Sequence, residues 1–141
     1  TTPWLGPPAA MDARIATIRR EGMDALVDGI LQRWFTADAI ERHAVTVERI
    51  RQTLLQTPVA GYIGCCAAPR DMDQRADLAR ITAPTLVIAG TDDPAPTPEA
   101  ARAWASTIPG ARFLELPTAH LSNIGAAGEF NQQVLTFLLG E

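Results

Sequence analysis

The chain has 141 residues, 47% of them hydrophobic, with 16 acidic side chains, 12 arginines, no lysine and a net charge of −4. This length and apolar content suffice for one domain with a core. The acidic balance argues against a nucleic-acid partner, because phosphate binding depends on clustered positive charge. No apolar run approaches the roughly 20 residues that span a bilayer, so we expect no membrane partner.

The two cysteines of the chain, Cys65 and Cys66, are adjacent. Neighbouring cysteines rarely form a disulfide, because the resulting ring strains the peptide bond between them and misses the usual Cα separation. We expect both to be small buried thiols that pack as apolar groups. A chain without a framework of disulfides fits a reducing compartment, so the expected location is cytoplasmic.

Residues 1–80 carry helical patterns and no convincing strand, which predicts a helical cap or lid region. A short helix is expected over 11–20. A second has apolar residues at three- and four-residue steps, at Met23, Leu26, Val27, Ile30, Leu31 and Trp34. Thr36 or Asp38 could cap a third helix, whose apolar positions include Ile40, Val47, Ile50 and Leu54. A fourth helix is expected over 59–68.

Residues 81–141 predict a strand, a helix, a second strand and a second helix. The run 85–89 is continuously apolar and β-branched, which is typical of a strand buried on both faces of a parallel sheet. The second strand is expected over 111–116. The fold class is therefore α/β, and this order of elements gives a parallel, right-handed crossover unit.

The helices of this second region carry their own signals. Thr97 is expected to cap a helix that begins at Pro98 and runs to about Thr107. Residues 129–139 predict an amphipathic helix with one apolar face, formed by Phe130, Val134, Phe137 and Leu138. Two parallel strands would still expose unpaired edges, so the sequence predicts one end of a larger sheet whose other strands are missing from this chain.

Polar residues follow both predicted strands. Asp92 and Asp93 come just after the first strand, and His120 comes just after the second. Neighbouring strands lie about 4.8 Å apart, so an Asp and a His can meet at the same sheet edge, as in the acid–base half of a hydrolytic triad. Asp93 is favoured as the acid because it lies three residues beyond Gly90, the spacing of the hydrolase pattern. Asp92 remains open, and both could instead cap turns.

No credible nucleophile accompanies this acid and base. An α/β-hydrolase places its Ser in a G-x-S-x-G turn between a strand and a helix. Ser106 and Ser122, which are the two serines of the chain, lack the flanking glycines, and Cys65 and Cys66 lie in a helix-like context. The other histidine, His43, lies in a charged helical stretch and is expected to be a solvated surface residue. In an α/β-hydrolase the chain order is nucleophile, acid, base, so we expect the nucleophile and the oxyanion hole to lie upstream of Thr1.

Several segments, in this order, resemble the 3-oxoadipate enol-lactonases, a family of the α/β-hydrolase superfamily. They are Gln32 to Phe35, the run Gly61-Tyr62-Ile63-Gly64-Cys65-Cys66-Ala67-Ala68, residues 84–91, and Ala119-His120-Leu121-Ser122-Asn123-Ile124. The resemblance covers nearly the whole chain. It implies the C-terminal part of an α/β-hydrolase fold, with a helical cap followed by the last two parallel strands and their helices. One departure is the proline-rich stretch 93–98, since the family usually has an apolar residue straight after the Asp.

The resemblance also implies an activity, the hydrolysis of a small anionic enol-lactone to 3-oxoadipate in aromatic breakdown. A Ser would attack the lactone carbonyl, His120 would move its proton and Asp93 would orient His120. No cofactor and no metal are implied. A carboxylate on the substrate would suit an Arg of the cap. Arg33 is the first candidate, with Arg14 and Arg70 behind it, and Trp34 could form a wall of the pocket.

Two other interpretations remain. The chain could belong to a different α/β-hydrolase, such as an esterase acting on other acids, because cap residues choose the substrate in this fold. It could also be a non-catalytic piece that associates through its exposed sheet edge. The expected macromolecular partner is the missing N-terminal half or a second chain.

Overall fold

The structure is a computed structural model that describes residues 2–140. Its first part is helical, as expected. The helices are α1 (Ala9–Glu21), α2 (Asp24–Trp34), α3 (Ala37–Arg42), α4 (Ala44–Leu55), α5 (Val59–Arg70) and a 3₁₀ helix (Arg75–Arg80).

The third predicted helix is two helices. Thr36 caps α3, since its hydroxyl accepts a hydrogen bond of 3.1 Å from the Ala39 amide. His43 then leaves the helical conformation, with φ −115° and ψ 29°, and α4 starts beyond it. The break lets both helices contribute to the same apolar cluster, through Ala39 from α3 and Val47 from α4.

Residues 1–80 are called the cap after their predicted role, and their apolar core lies mainly between α2, α3 and α4. Its buried members are Ile18, Met23, Val27, Ile30, Leu31, Phe35, Ala39, Val47 and Leu54. Leu121 and Ile124, which follow His120 in the chain, pack against this cluster. The cap core therefore also holds the segment that begins at His120.

The second part of the chain contains the parallel pair that the sequence predicts. In chain order it comprises β1 (Leu86–Gly90), α6 (Pro98–Ala105), β2 (Arg112–Leu116), α7 (Ser122–Gly125) and α8 (Ala127–Leu139). The strands are parallel and in register from Leu86 opposite Arg112 to Gly90 opposite Leu116. Helix α6 packs against both strands. The short α7 was not expected from the sequence.

Burial on both faces of β1 was predicted, and this chain by itself provides it only in part. Ala89 and Gly90 are buried, whereas the first three residues of the strand are half-buried. They form an apolar groove with the predicted face of α8, lined by Leu86, Val87, Ile88, Phe130, Val134, Phe137 and Leu138. Leu138 remains 70% exposed. Two strands are too few to cover the apolar surface that a larger sheet would bury.

Two side chains lie elsewhere than the sequence suggested. Cys66 is buried as expected, but Cys65 is exposed, because the two neighbours point to different sides of α5. His43 is half-buried rather than solvated. Its Nε2 is fully buried and has no hydrogen-bond partner within residues 2–140.

Candidate active site

The loops after β1 and β2 bring an acid and a base together at one edge of the sheet. The Nδ1 atom of His120 lies 2.7 Å from Oδ2 of Asp93. Asp93 is only 8% exposed, and its Oδ1 accepts a hydrogen bond of 2.9 Å from the Ala95 amide. Both carboxylate oxygens are therefore engaged, and the carboxylate is fixed in the orientation that faces the imidazole.

Asp92 has a different environment from Asp93. Its side chain is exposed, and its Oδ2 accepts a hydrogen bond of 3.1 Å from the Thr91 hydroxyl. Its backbone amide donates to the carbonyl of Thr118, at 3.0 Å. Asp92 therefore joins the two loops through its backbone, while Asp93 is the residue that contacts His120.

Backbone hydrogen bonds fix the two loops to each other. Thr91 donates to the carbonyl of Leu116 at 2.9 Å, which extends the strand pairing by one step. The backbone amide of Asp93 donates to the Gly90 carbonyl at 3.1 Å, which turns the loop after β1 back over the end of the strand. Asp93 and His120 are thus held by regular backbone structure rather than by side chains alone.

The cap fixes the other side of His120. The rings of Trp34 and His120 stack with centroids 6.4 Å apart and an angle of 18° between their planes. The Leu121 amide donates to the Trp34 carbonyl at 3.0 Å, at the end of α2. Since Nδ1 faces Asp93, Nε2 is the ring nitrogen that remains to exchange a proton with a substrate or a nucleophile.

A cavity of about 400 Å³ opens beside this pair. Its polar lining includes Asp93, His120 and Ser122, and its apolar lining includes Ile88 of β1, Trp104 of α6 and Ile108, which follows α6. Trp34 and Arg33, the two predicted binding residues, are not among the residues that line this cavity. The Trp34 ring nevertheless stacks on His120, whereas the structure does not bring Arg33 to Asp93 or His120.

The candidate arginines of the cap differ in their partners. Arg14 donates to the Tyr62 hydroxyl at 3.0 Å. Partial burial and the positive charge of Arg14 lower the pKa of Arg33, with Tyr62 acting in the opposite direction, although the Arg33 side chain stays exposed. Two guanidinium groups therefore share one region of the cap. No acidic side chain within residues 2–140 forms an ion pair with either.

The positive charge of Arg70 is already balanced by two carboxylates. Arg70 forms ion pairs with Asp71 at 2.7 Å and with Asp12 at 3.2 Å. These two carboxylates raise the pKa of Arg70. A substrate carboxylate would have to displace them, so Arg70 is a weaker candidate than Arg14 or Arg33.

The structure shows the environments of the two serines, neither of which has the sequence pattern of a hydrolase nucleophile. Ser106 lies at the end of α6, and its hydroxyl donates to the Ala103 carbonyl at 2.7 Å. Ser122 begins α7 and lines the cavity. Neither lies on a strand-to-helix turn flanked by glycines, which is the form that the nucleophile of this fold takes.

Cys66 is also unsuited to nucleophilic attack. Burial raises the pKa of its thiol, with the charge of Arg14 opposing the shift and Cys65 adding to it. A raised pKa keeps the group protonated at neutral pH, and the thiol reacts far more slowly than the thiolate.

We therefore expect iodoacetamide at pH 7.5 to alkylate Cys65 well before Cys66, because Cys65 is exposed and Cys66 is buried with a raised thiol pKa. Mass spectrometry of peptides from a time course measures the two rates. Cys65→Ser is the control, and it should leave the folded protein almost unmodified. Faster labelling of Cys66 than of Cys65 would contradict the burial of the Cys66 thiol.

Within residues 2–140 there is no cluster of three or more His, Cys, Asp or Glu side chains that could hold a metal ion. In the same range, no helix has the length and apolarity needed to cross a membrane.

Comparison with known proteins identifies the class of protein to which this chain belongs. No model of a protein family matches the sequence. The chain superimposes on the crystal structure of the enol-lactonase from Burkholderia xenovorans with a TM-score of 0.94 and 42% identity, covering 99% of this chain and 54% of that one. A thermophilic esterase from Thermogutta terrifontis gives a TM-score of 0.90 at 26% identity, covering 99% of this chain and 53% of the esterase. The chain therefore belongs to the α/β-hydrolases and forms the C-terminal part of that fold.

Sequence similarity identifies a narrower group of relatives within the α/β-hydrolases. The chain is 33% identical over 134 residues to 3-oxoadipate enol-lactonase 2 of Acinetobacter baylyi, which covers 95% of this chain and 50% of the relative. The chain is therefore homologous to the C-terminal half of 3-oxoadipate enol-lactonases, as the sequence motifs indicated. It spans about half the length of the curated relatives it matches.

Proposed function

We propose that this chain supplies the acid, the base and the cap of a serine hydrolase that opens the enol-lactone of 3-oxoadipate. The observation that carries the proposal is the hydrogen bond of 2.7 Å between Asp93 and His120, at the carboxyl ends of adjacent parallel strands. In open α/β sheets, active sites form at this edge. The similarity to enol-lactonases over nearly the whole chain supports the choice of substrate class.

In the proposed reaction, Nε2 of His120 removes the proton from a Ser hydroxyl as its oxygen attacks the lactone carbonyl. The ring C–O bond then breaks, His120 returns the proton to the leaving enol oxygen, and the enol rearranges to the ketone. His120 next activates a water molecule, which releases 3-oxoadipate from the Ser. Asp93 keeps the proton of the neutral imidazole on Nδ1 and stabilises the imidazolium. This scheme needs no metal or organic cofactor.

The nucleophile and the oxyanion hole are proposed to come from an N-terminal part of the fold, either in the same polypeptide or in a second one. Three observations support this partner. The chain spans about half of its relatives, β1 is hydrogen-bonded to β2 alone within residues 2–140, and the groove between β1 and α8 is apolar and open. We call this chain with that partner the intact protein. Residues 1–80 would act as its cap, and the free thiols are consistent with the cytoplasm.

The proposal is tested by comparing kcat/KM for 3-oxoadipate enol-lactone with kcat/KM for neutral esters of similar size. A lactonase should prefer the anionic lactone by roughly 10- to 150-fold, which corresponds to about 1.5–3 kcal/mol from a charged hydrogen bond. Intact masses under denaturing conditions should also reveal a polypeptide that contains a G-x-S-x-G sequence. Turnover of neutral esters alone would favour a different ester hydrolase. A 141-residue species with no turnover of either class would favour the non-catalytic piece.

A second candidate function is the hydrolysis of another ester that carries carboxylates. The observation that favours it is the similarity to the Thermogutta esterase, whose crystal structure contains bound malate, a dicarboxylate. Both candidates require a cationic group for the substrate, so the cap arginines are relevant to either.

Replacing Arg14 or Arg33 by Met should raise KM for the anionic lactone by about 10- to 150-fold, since a hydrogen bond to a charged group contributes roughly 1.5–3 kcal/mol. KM for a neutral ester should change little. Arg19→Met is the matched control, because Arg19 lies exposed on the same helix as Arg14. Equal effects on both substrates would mean that these arginines serve the packing of the cap and not the anion.

A further inference from the structure

Thr118 lies between β2 and His120 and is only 2% exposed, although it is polar. Two glycines from different parts of the chain approach it. Gly90 is the last residue of β1, and Gly125 is the last residue of α7. Each glycine contacts a different part of the segment that carries His120.

Gly90 approaches the backbone of this segment. A Cβ at Gly90 would overlap the carbonyl oxygens of Thr118 and Ala119, and it would lie 2.8 Å from the carbonyl carbon of Ala119. Backbone atoms in a buried loop cannot rotate away from such an overlap. Gly90 is therefore required for space, because its missing side chain lets the loop lie directly against the end of β1.

Gly125 approaches the side chain of the same residue. A Cβ there would overlap Oγ1 of Thr118 and would lie 3.3 Å from its Cβ. Thr118 is thus enclosed from two sides, by one glycine against its carbonyl group and by another against its hydroxyl.

Thr118 also links the loop after β1, which carries Asp93, to the loop after β2, which carries His120. The Thr118 carbonyl that contacts Gly90 also accepts the hydrogen bond from the Asp92 amide, at 3.0 Å. Asp93 is the next residue on one side, and His120 lies two residues further on the other. A shift of Thr118 away from Gly90 would therefore lengthen the contact of 2.7 Å between the two functional side chains.

We propose that Gly90, Thr118 and Gly125 are positioning residues that hold His120 at hydrogen-bond distance from Asp93. The inference rests on the proposed function in one respect, since it takes Asp93 and His120 as the acid and the base. None of the three residues needs to touch the substrate.

In the intact protein, Gly90→Ala should abolish the Asp93–His120 hydrogen bond. C···O contacts normally lie at about 3.3–3.6 Å, so the loop would have to move by on the order of 1 Å. The readout is ¹H–¹⁵N NMR of the imidazole, in which the wild type should show a proton held on Nδ1 and the variant should not. A displacement of about 1 Å should also reduce kcat about 10²-fold.

The close approach of Gly125 to the Thr118 side chain permits a rescue test. Gly125→Ala should weaken the same NMR signal, because the new methyl group collides with Oγ1 of Thr118. Thr118→Ala removes that oxygen, so the Gly125→Ala/Thr118→Ala double variant should recover the signal and most of the activity. The same Thr118→Ala change should not rescue Gly90→Ala, whose methyl group meets backbone atoms.

Gly29→Ala in α2 and Gly64→Ala in α5 are the matched controls, since no atom outside the local helix lies within 4 Å of a Cβ at either position. Both should keep the Nδ1 proton and the wild-type kcat.

The positioning role is overturned if Gly90→Ala keeps the proton on Nδ1, or if the double variant is no better than Gly125→Ala. The rescue arm decides the question even if Gly90→Ala fails to fold. The NMR signal requires no substrate. A wild-type protein that shows the Nδ1 proton but hydrolyses no lactone would contradict the proposed function. The positioning role of the three residues would still stand.

Discussion

Asp93→Asn in the intact protein is expected to reduce kcat by about 10⁴-fold, the loss typical of replacing a triad acid. The reason is the arrangement of hydrogen bonds around the carboxylate. Oδ1 accepts from the Ala95 amide, so an Asn at this position would keep its carbonyl there and turn its NH₂ group towards His120. Nδ1 would then accept a hydrogen bond, and the imidazole proton would move to Nε2, the atom that must act as the base.

Asp92→Asn is the matched control for this change. The Asp92 side chain is exposed and forms a side-chain hydrogen bond only with the Thr91 hydroxyl among residues 2–140, and its link to Thr118 uses the backbone amide. Activity should therefore stay close to that of the wild type. Steady-state rates of the two variants measured side by side decide between the carboxylates. Full activity in Asp93→Asn with loss in Asp92→Asn would assign the acid to Asp92.

The second large effect is expected from the 141-residue chain on its own, which should show no turnover of the lactone. The chain contains no G-x-S-x-G sequence, and its two serines lie at the end of α6 and the start of α7. Without a nucleophile no acyl-enzyme forms. A fluorophosphonate that reacts with activated serines should label the intact protein and leave this chain unlabelled, as intact-mass measurement would show.

The prediction that the chain alone is inactive would be contradicted by one pattern of turnover among its variants. Turnover by the chain alone that is lost in His120→Ala would show that a nucleophile lies within these residues. Loss in Ser122→Ala as well would identify it, because Ser122 lines the same cavity as His120. Turnover that persists in His120→Ala would indicate a contaminating hydrolase.

Much of the fold was predictable because its local signals agree with its tertiary packing. The continuous apolar run before Gly90 predicts a buried parallel strand, and the structure contains β1 paired in register with β2. Thr97 and Pro98 mark the start of α6, where the Thr97 hydroxyl accepts from the Ala100 amide at 3.4 Å. The prediction of one helix after Thr36 was wrong, because the break at His43 has no glycine or proline to signal it.

The candidate site was predictable in outline for a topological reason. Residues that follow neighbouring parallel strands meet at one sheet edge, so an Asp and a His after successive strands indicate an acid and a base. The sequence left Asp92 and Asp93 open. In the structure, a one-residue difference in the turn buries Asp93 against His120 and leaves Asp92 exposed.

By itself, the sequence determined the two strands, most of the helices, the homology to enol-lactonases and the placement of an Asp and a His at one sheet edge. These properties depend on local periodicity and on residues near strand ends, which are readable along the chain. Only the tertiary structure decided the contacts between distant segments. It stacks Trp34 on His120, encloses Thr118 between Gly90 and Gly125, and places Arg14 near Arg33. Such contacts depend on how helices and loops pack, and packing distances are not encoded in any one segment.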